Sequence, residues 1–177
     1  NVQVANSNRA LVVNSLLELS GYVFSNCTFK ADKGTNPVAV QISESNGASA
    51  LFNKCTIGGG ATKSVALTGN IVANFQDCTF DDWTGPYALE ASAGTLLVEG
   101  CTFGPTLTAG KKGILLSPGV TSAAILGNAF ASGNPAYLLD NMSSGDVKRQ
   151  DAGYSFPLHN VTAYPWKTSL PKPPNAS

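Results

Sequence analysis

One tetrapeptide recurs along this chain and constrains its fold more than any other feature. Its copies are Asn26-Cys27-Thr28-Phe29, Lys54-Cys55-Thr56-Ile57, Asp77-Cys78-Thr79-Phe80, Gly100-Cys101-Thr102-Phe103 and, with asparagine replacing cysteine, Gly127-Asn128-Ala129-Phe130. Successive copies are 28, 23, 23 and 27 residues apart. Periods of about 20 to 50 residues are typical of solenoids, in which each unit packs on its neighbours. The spacing therefore predicts a stack of similar units.

Apolar residues around each cysteine indicate a corner between two short strands. Three residues before the cysteine position stand Phe24, Phe52, Phe75, Val98 and Ile125; two residues after it stand Phe29, Ile57, Phe80, Phe103 and Phe130. A continuous strand alternates with period two, so this pattern needs one extra residue between the first apolar position and the cysteine. We predict a sharp corner at that extra residue.

A further apolar strand precedes each corner by about a dozen residues. The segments are Leu11-Val12-Val13-Asn14, Val38-Ala39-Val40-Gln41, Val65-Ala66-Leu67-Thr68, Tyr87-Ala88-Leu89-Glu90, Ile114-Leu115-Leu116-Ser117 and Tyr137-Leu138-Leu139-Asp140. The first and third residues are apolar and the fourth is polar, which predicts alternation between inward and outward side chains. In this alignment an outward apolar strip contains Ala39, Ala66, Ala88, Leu115 and Leu138, and such a strip could pack against a partner.

With these corners the sequence resembles the right-handed parallel β-helix superfamily, which includes pectate lyases and phage tailspikes. The resemblance covers roughly residues 10–142. It implies an all-β, right-handed parallel β-helix of about six coils, closed by an irregular C-terminal cap. In that family the corner carries a ladder of stacked asparagines, which Asn128 matches and Cys27, Cys55, Cys78 and Cys101 do not match in residue type. We therefore expect a mixed Cys/Asn ladder, although the fold itself implies little about function.

The four cysteines have two alternative states. Neighbouring coils lie about 4.8 Å apart, so stacked cysteines could be joined pairwise by disulfides. Side chains stacked in parallel, however, leave their Cβ atoms farther apart than a relaxed disulfide prefers, and we favour free buried thiols. A linear row also cannot supply the tetrahedral ligands of a zinc site, and we expect no metal and no cofactor.

The two ends of the solenoid need different explanations. We assign the β-helix repeats to residues 1–142, and the C-terminal cap with its Pro-rich tail to residues 143–177. The repeats begin without a comparable cover, and an open coil exposes apolar side chains and unpaired backbone groups. We expect the first coil, with Leu11 and Val13, to be covered by further β-helix polypeptide or by a neighbouring subunit.

Composition limits the classes of partner. The net charge is zero and only 12% of residues are charged, so the basic stripe of a nucleic-acid-binding protein is missing. The absence of an 18-residue apolar run argues against a membrane span. Low charge with abundant Ser, Thr, Asn, Ala and Gly favours an extracellular or cell-surface location. Asn-X-Ser/Thr sequons, which are potential N-glycosylation sites, occur at Asn26, Asn141, Asn160 and Asn175.

One loop carries residues that could bind or cleave a polysaccharide. The candidates are Asp81, Asp82, Trp83, Tyr87 and Glu90, because carboxylates can serve acid–base chemistry and an aromatic face can contact a sugar. The alternative is a polar turn whose tryptophan covers the strand below. Glu90 and Asp140 are expected in one outward column two coils apart, about 10 Å, which is slightly wide for an inverting carboxylate pair.

Catalytic motifs of the resembled family are missing from the chain. Neither the lyases' calcium-binding aspartate clusters and proton-abstracting arginine nor the hydrolases' histidine-glycine and arginine-any-lysine motifs occur. The sequence therefore favours a non-catalytic structural or adhesive module of an extracellular surface assembly or fibre. The alternative is a polysaccharide-binding or polysaccharide-cleaving domain.

Overall fold

The chain forms a parallel β-solenoid. The computed structural model describes residues 3–15, 21–44, 47–60, 63–104, 111–130 and 139–150. Within these ranges the strands are β1 (Gln3–Ser7), β2 (Leu11–Ser15), β3 (Tyr22–Ser25), β4 (Thr28–Ala31), β5 (Val40–Glu44), β6 (Ser49–Asn53), β7 (Thr56–Gly59), β8 (Val65–Gly69), β9 (Val72–Gln76), β10 (Thr79–Asp81), β11 (Tyr87–Glu99), β12 (Thr102–Phe103), β13 (Lys112–Leu126), β14 (Ala129–Phe130), β15 (Leu139–Asn141) and β16 (Asp146–Gln150). None of the described residues lies in a helix.

Every strand pairs in parallel with the equivalent strand of the next coil, which gives three faces. The first face contains β2, β5, β8, β15 and the initial halves of β11 and β13. The second contains β3, β6, β9, β16 and the final halves of β11 and β13. The third contains β1, β4, β7, β10, β12 and β14. The predicted parallel β-helix is confirmed, with about five turns instead of six.

The predicted corner lies at the residue immediately before each cysteine position. That residue has a left-handed backbone in all five copies: Asn26 (φ 54°), Lys54 (52°), Asp77 (51°), Gly100 (62°) and Gly127 (62°). This conformation turns the chain from the second face to the third within one residue. It explains why the apolar pattern needs one extra position there, because the corner residue takes no part in the alternation.

Stacked aromatic side chains fill the core beside this corner. The rings of Phe24, Phe52 and Phe75 follow one another with centroid distances of 4.9 and 4.8 Å. On the third face, Phe80 and Phe103 stack at 4.6 Å. These distances match the spacing of paired strands, about 4.8 Å, so each coil places an equivalent ring on the one before it. The core is therefore a set of continuous columns.

The cysteine row makes one repeated hydrogen bond between coils. The thiols of Cys55, Cys78 and Cys101 each donate to the carbonyl oxygen of the phenylalanine three residues before the preceding cysteine, at 3.4 Å in every case. The Asn128 amide donates to the equivalent carbonyl, that of Val98, at 3.0 Å. All four cysteines are free and buried, which agrees with the free-thiol alternative. The cysteine thiols and the Asn128 amide therefore make equivalent hydrogen bonds between coils at this corner.

The alignment predicted for the first face is wrong by two residues in three coils. In the structure the inward column is Leu11, Val40, Val65, Leu89, Ile114 and Leu139. A slip of two residues preserves the inward–outward alternation, so periodicity alone could not detect it. As a consequence Ala39 and Ala88 are buried at a corner, and the outward apolar strip predicted from them does not exist. Leu138 lies outside the described residues.

Parallel pairing continues beyond residue 142, where the repeats were expected to end. β16 pairs with β13, and its Val147 and Arg149 are both buried. Arg149 occupies the column that carries phenylalanine in the first coils, so a charged residue interrupts the apolar pattern there. The remainder of the predicted cap, residues 151–177, lies outside the described residues.

Two glycines should differ sharply in their tolerance of alanine. A Cβ atom on Gly69 (φ +85°) would lie 1.8 Å from the backbone oxygen of Glu44 in the preceding coil, whereas one on Gly127 (φ +62°) would meet nothing within 4 Å. Gly127→Ala should lower the free energy of unfolding by about 1 kcal/mol, the cost of the left-handed backbone. Gly69→Ala should lower it by more than about 3 kcal/mol, because coils must separate. Urea denaturation of both variants measures the free energy of unfolding. Equal losses would contradict the predicted clash between the new side chain at Gly69 and the Glu44 backbone.

Candidate functional site

The loop that carries the candidate residues connects the third face to the first. β10 ends at Asp81 and β11 begins at Tyr87, so residues 82–86 cross the corner between these faces. Asp82 is exposed and has a left-handed backbone (φ 53°), and its N–H donates to the Asp81 side chain at 2.9 Å. The Lys30 ammonium donates to Asp82 at 3.3 Å. Both aspartates thus belong to a local turn instead of a shared cleft.

Trp83 does not present its ring to solvent, so the exposed aromatic ring expected in this loop is not found; contact of the residue with a sugar stays a prediction. Its exposure is 1%, and its ring meets Phe103 edge-on with centroids 6.5 Å apart. The Lys111 ammonium donates to the Trp83 carbonyl at 2.9 Å, while the indole N–H is buried and has no partner among the described residues. The alternative prediction, a tryptophan covering the core below the turn, is the correct one.

Tyr87 and Glu90 do reach the outer surface of the first face, where each has a partner from another coil. The Tyr87 hydroxyl donates to Asp140 Oδ2 at 2.9 Å, and the Lys112 ammonium donates to the same oxygen at 2.8 Å. Glu90 forms an ion pair with Lys63. Sequence analysis missed both lysines, because they are 28 and 27 residues from their partners. Only the coil-to-coil register could have revealed these pairs.

The two outward carboxylates are placed in one column, as predicted, but they do not form an acid–base pair. Glu90 and Asp140 are each in register with Leu115 of the intervening coil, which separates them by about 10 Å. Leu115 therefore lies between the two carboxylates in this column. Each carboxylate is also neutralised by its own lysine. A sugar-cleaving pair needs one carboxyl group that holds a proton and a second that is ionised.

The titration behaviour of the Asp140 cluster follows from these contacts. The hydrogen bond from Lys112 lowers the pKa of Asp140 below its usual value of 3.8, and the Tyr87 hydroxyl acts in the same direction. Partial burial raises the pKa of Tyr87, and its bond to Asp140 adds to this. A general acid needs a carboxyl pKa raised towards neutrality. Asp140 is shifted in the opposite direction, which suits a structural ion pair.

The thiols are shielded from solvent, and their pKa values shift in different directions: contact with the Cys78 thiol lowers the pKa of Cys101, which is fully buried. Burial raises the pKa of Cys55 from 9.0 to about 11. Contact with the Cys101 thiol, together with burial, raises the pKa of Cys78. Reactive cysteines have lowered pKa values and solvent access. Within the described part of the chain, no group of three or more His, Cys, Asp or Glu side chains could hold a metal ion.

Glu44 is a buried carboxylate that sequence analysis did not single out. It is 2% exposed at the corner between the first and second faces. The Tyr22 hydroxyl donates to its Oε1 at 3.3 Å, and its Oε2 has no partner among the described residues. Val40 and Ile42 of β5 point inward, and the alternation of the strand places Glu44 inside as well. This alternation was the sequence pattern that could have identified Glu44 as buried.

Two of the four sequons lie in the described part of the chain. Asn26 is exposed at its corner, whereas the Asn141 side-chain oxygen accepts hydrogen bonds from Ser143 N at 3.0 Å and Ser143 Oγ at 2.7 Å. Asn160 and Asn175 lie outside the described residues. Glycosylation at all four stays a prediction.

Comparisons with known proteins supply no further assignment for this site. No protein-family model, no curated protein and no solved structure matches the chain. The described residues also include no helix that could span a membrane.

Substitutions of Cys78 should separate packing from hydrogen bonding in the cysteine row. Cys78→Ala removes a buried side chain and its bond to the Phe52 carbonyl, and it should lower the free energy of unfolding by about 1–3 kcal/mol. Cys78→Asn should lose less, because Asn128 makes the equivalent bond in its own coil. Chemical denaturation compares the two variants. A larger loss for asparagine than for alanine would contradict the equivalence of thiol and amide.

Acidification should reveal the ion pair at Asp140. Because its folded pKa lies below the unfolded value of 3.8, the contribution to stability is present above that value and disappears as pH falls through the folded pKa. The Lys112 and Asp140 side chains are each about one-third exposed. Asp140→Asn should therefore lower the free energy of unfolding by at most about 1 kcal/mol at pH 7. The difference in the free energy of unfolding between Asp140→Asn and the wild type should shrink as the pH falls below 3.8. The control Asp82→Asn, at a 62% exposed side chain, should have no measurable effect at either pH.

Proposed function

We propose that this chain is a non-catalytic structural or adhesive β-helix module of an extracellular surface assembly. The observation that carries this proposal is the pairing of the outward carboxylates: Glu90 with Lys63, and Asp140 with Lys112 and Tyr87. These contacts cross-link coils, and among the described residues of this face they leave no pair of carboxylates close enough for glycoside chemistry. The burial of Trp83 leaves the polysaccharide alternative without one of its two candidate aromatic rings.

Exposure of the first coil supports the assembly role. Leu11, Val13, Tyr22 and Phe24 pack against the core but stay partly exposed, whereas their equivalents in the next coil are almost fully buried. The upper ring face of Phe24 has no counterpart among the described residues, although Phe52 stacks below it. In-register parallel pairing would extend each of these columns by one residue. The proposal therefore includes further β-helix polypeptide, or a neighbouring subunit, on this coil.

Matched substitutions in β2 test the assembly role. Val13 points inward and is half-buried, whereas its neighbour Val12 points outward and is 52% exposed. Val13→Lys should abolish association through the end coil, because an ammonium would be buried in the contact; Val12→Lys should not. Light scattering at increasing concentration, with far-UV circular dichroism to verify folding, measures the difference. A monomer at high concentration whose β2 amides resist hydrogen exchange would contradict end-to-end contact.

An activity assay tests the non-catalytic part of the proposal. We expect no depolymerisation of pectic or other acidic and neutral polysaccharides, and no binding on a glycan array that depends on Tyr87 or Glu90. Glu90→Gln and Asp140→Asn serve as the decisive variants. Turnover by the wild-type chain that Glu90→Gln eliminates would overturn the structural role in favour of a polysaccharide-cleaving domain.

A further inference from the structure

The cysteine row, which consists of Cys27, Cys55, Cys78 and Cys101, has no part in the proposed function. Its members are held in register from both sides, because the strands before and after the corner pair residue by residue between neighbouring coils. Backbone hydrogen bonds also cross the corner itself: the carbonyl oxygen of each cysteine accepts from the residue after the cysteine position in the next coil, at 2.8–2.9 Å. The row is therefore as regular as the strands beside it.

The sulfur atoms of successive coils point in the same direction. The Cys55, Cys78 and Cys101 thiols each lie 3.4–3.5 Å from two carbonyl oxygens, one of their own coil and one of the preceding coil. Equal contacts imply equal side-chain orientations, so neighbouring sulfur atoms are separated by about the coil spacing of 4.8 Å or slightly less. Cys78 and Cys101 form the most deeply buried neighbouring pair, at 1% and 0% exposure.

The spacing of the row matches neither a disulfide nor a zinc site. The Cβ atoms of a relaxed disulfide are about 3.8 Å apart, whereas equal orientations keep these Cβ atoms about 4.8 Å apart. Zinc takes four ligands at the corners of a tetrahedron, which a line of sulfur atoms cannot supply. A cation in line between two sulfur atoms needs only two donors, and with metal–thiolate bonds of about 2.3 Å the unit spans about 4.6 Å. Neighbouring cysteines fit this span without movement of the backbone.

We propose that Cys78 and Cys101 bind one soft monovalent cation, of the class of Cu(I) or Ag(I), between their sulfur atoms. Sulfur ligands select soft ions such as Cu(I), and closed-shell monovalent ions of this class are stable with two donors in line. Hard cations such as Mg²⁺ and Ca²⁺ take a shell of oxygen ligands instead. The bound ion joins two neighbouring coils inside the core, as the ion pair between Lys63 and Glu90 does on the outer surface.

The charge of the pair agrees with a monovalent ion. A net charge in a buried site is costly. When Cys101 releases its proton and Cys78 keeps its own, the pair carries one negative charge, which one monovalent cation neutralises. Contact between the two thiols acts in this direction, because it lowers the pKa of Cys101 and raises that of Cys78. A divalent cation would need both protons to leave, and the raised pKa of Cys78 opposes the second release.

The surroundings of the pair favour a closed structural site. Phe75, Phe80 and Phe103 lie two or three residues from the two cysteines in sequence, and all three are fully buried in the same core cluster. An apolar shell limits solvent access to a metal site, which slows the exchange of a soft cation with water. A site enclosed in this way takes up its ion when the chain folds or when a coil opens locally.

Cys27 provides a matched control within the same row. It lies in the first coil, two coils away from Cys78, and its thiol donates to the Ser25 carbonyl of its own coil at 3.4 Å. A cation between Cys78 and Cys101 does not contact it. Cys27→Asn therefore makes the same chemical change in the same row and leaves the proposed site intact.

Silver binding to the reduced 177-residue chain tests the proposal. The chain is refolded from urea with one equivalent of Ag(I), so that access to the core does not limit the result. Dialysis against methionine, whose thioether binds silver, then removes loosely held ions. Native mass spectrometry should show one Ag(I) per chain, as the mass of one cation less that of one proton. X-ray absorption at the silver edge should show two sulfur neighbours and no nitrogen or oxygen neighbour.

Substitutions test which cysteines hold the ion. Cys78→Asn and Cys101→Asn should each lower the affinity for Ag(I) by more than about a hundredfold, because changes outside the ligand shell alone cost about 10- to 100-fold. Cys27→Asn should keep the wild-type affinity. Asparagine is compatible with this column, since Asn128 occupies it in the next coil. Circular dichroism verifies folding, and a serine variant replaces any asparagine variant that does not fold.

Four results would overturn the metal site. The first is a wild-type chain that carries no silver after refolding and dialysis. The second is equal retention by the chain kept in urea, which would show capture by unfolded thiols only. The third is wild-type affinity in both Cys78→Asn and Cys101→Asn, and the fourth is loss of the ion in Cys27→Asn. The proposed structural role is tested by association and polysaccharide turnover instead, so the two proposals can fail separately.

Discussion

In-register parallel pairing is the constraint on which the rest of this structure depends. Because every residue sits about 4.8 Å from its equivalents in the coils above and below, a side chain is compatible with the fold only if its column tolerates it. Rings of Phe24, Phe52 and Phe75 stack at 4.8–4.9 Å. Like charges placed in one column would repel, and the outward acids Glu90 and Asp140 are accordingly separated by Leu115. The lysines that pair with Glu90 and Asp140 come from other coils, so these ion pairs link one coil to another.

Much of the architecture could be predicted because columns leave a signature in sequence. The cysteine position recurs with phenylalanine or an aliphatic residue at fixed offsets, and a corner requires one extra residue, which proved to be the left-handed one. The first face could not be aligned in the same way. It has no fixed corner residue, and slips of two residues leave its alternation intact. The last coil was missed for a related reason, since Arg149 replaces an apolar residue in the aromatic column.

The candidate site depended on contacts that no local pattern encodes. A tryptophan within an acidic, glycine- and proline-containing loop suggested an exposed ring, yet Trp83 packs against Phe103 of the next coil. Tyr87 and Asp140 are 53 residues apart and meet through a shared oxygen with Lys112. Such contacts between residues distant in sequence depend on the loop lengths, which differ between coils. The sequence suggested a possible carbohydrate site in this region, whereas in the structure the carboxylates of Glu90 and Asp140 form ion pairs with lysines of other coils.

A solenoid separates the requirements of stability from those of surface chemistry. The inner columns are nearly uniform from coil to coil, because every coil must satisfy the same neighbours. The outer columns are free to differ, and here they do so by face: ion pairs on the first, aliphatic residues on the second and threonines on the third. Substitution of a single outward residue therefore alters one face and leaves the core columns intact. This independence lets one rigid scaffold carry surfaces of different chemistry on its three faces.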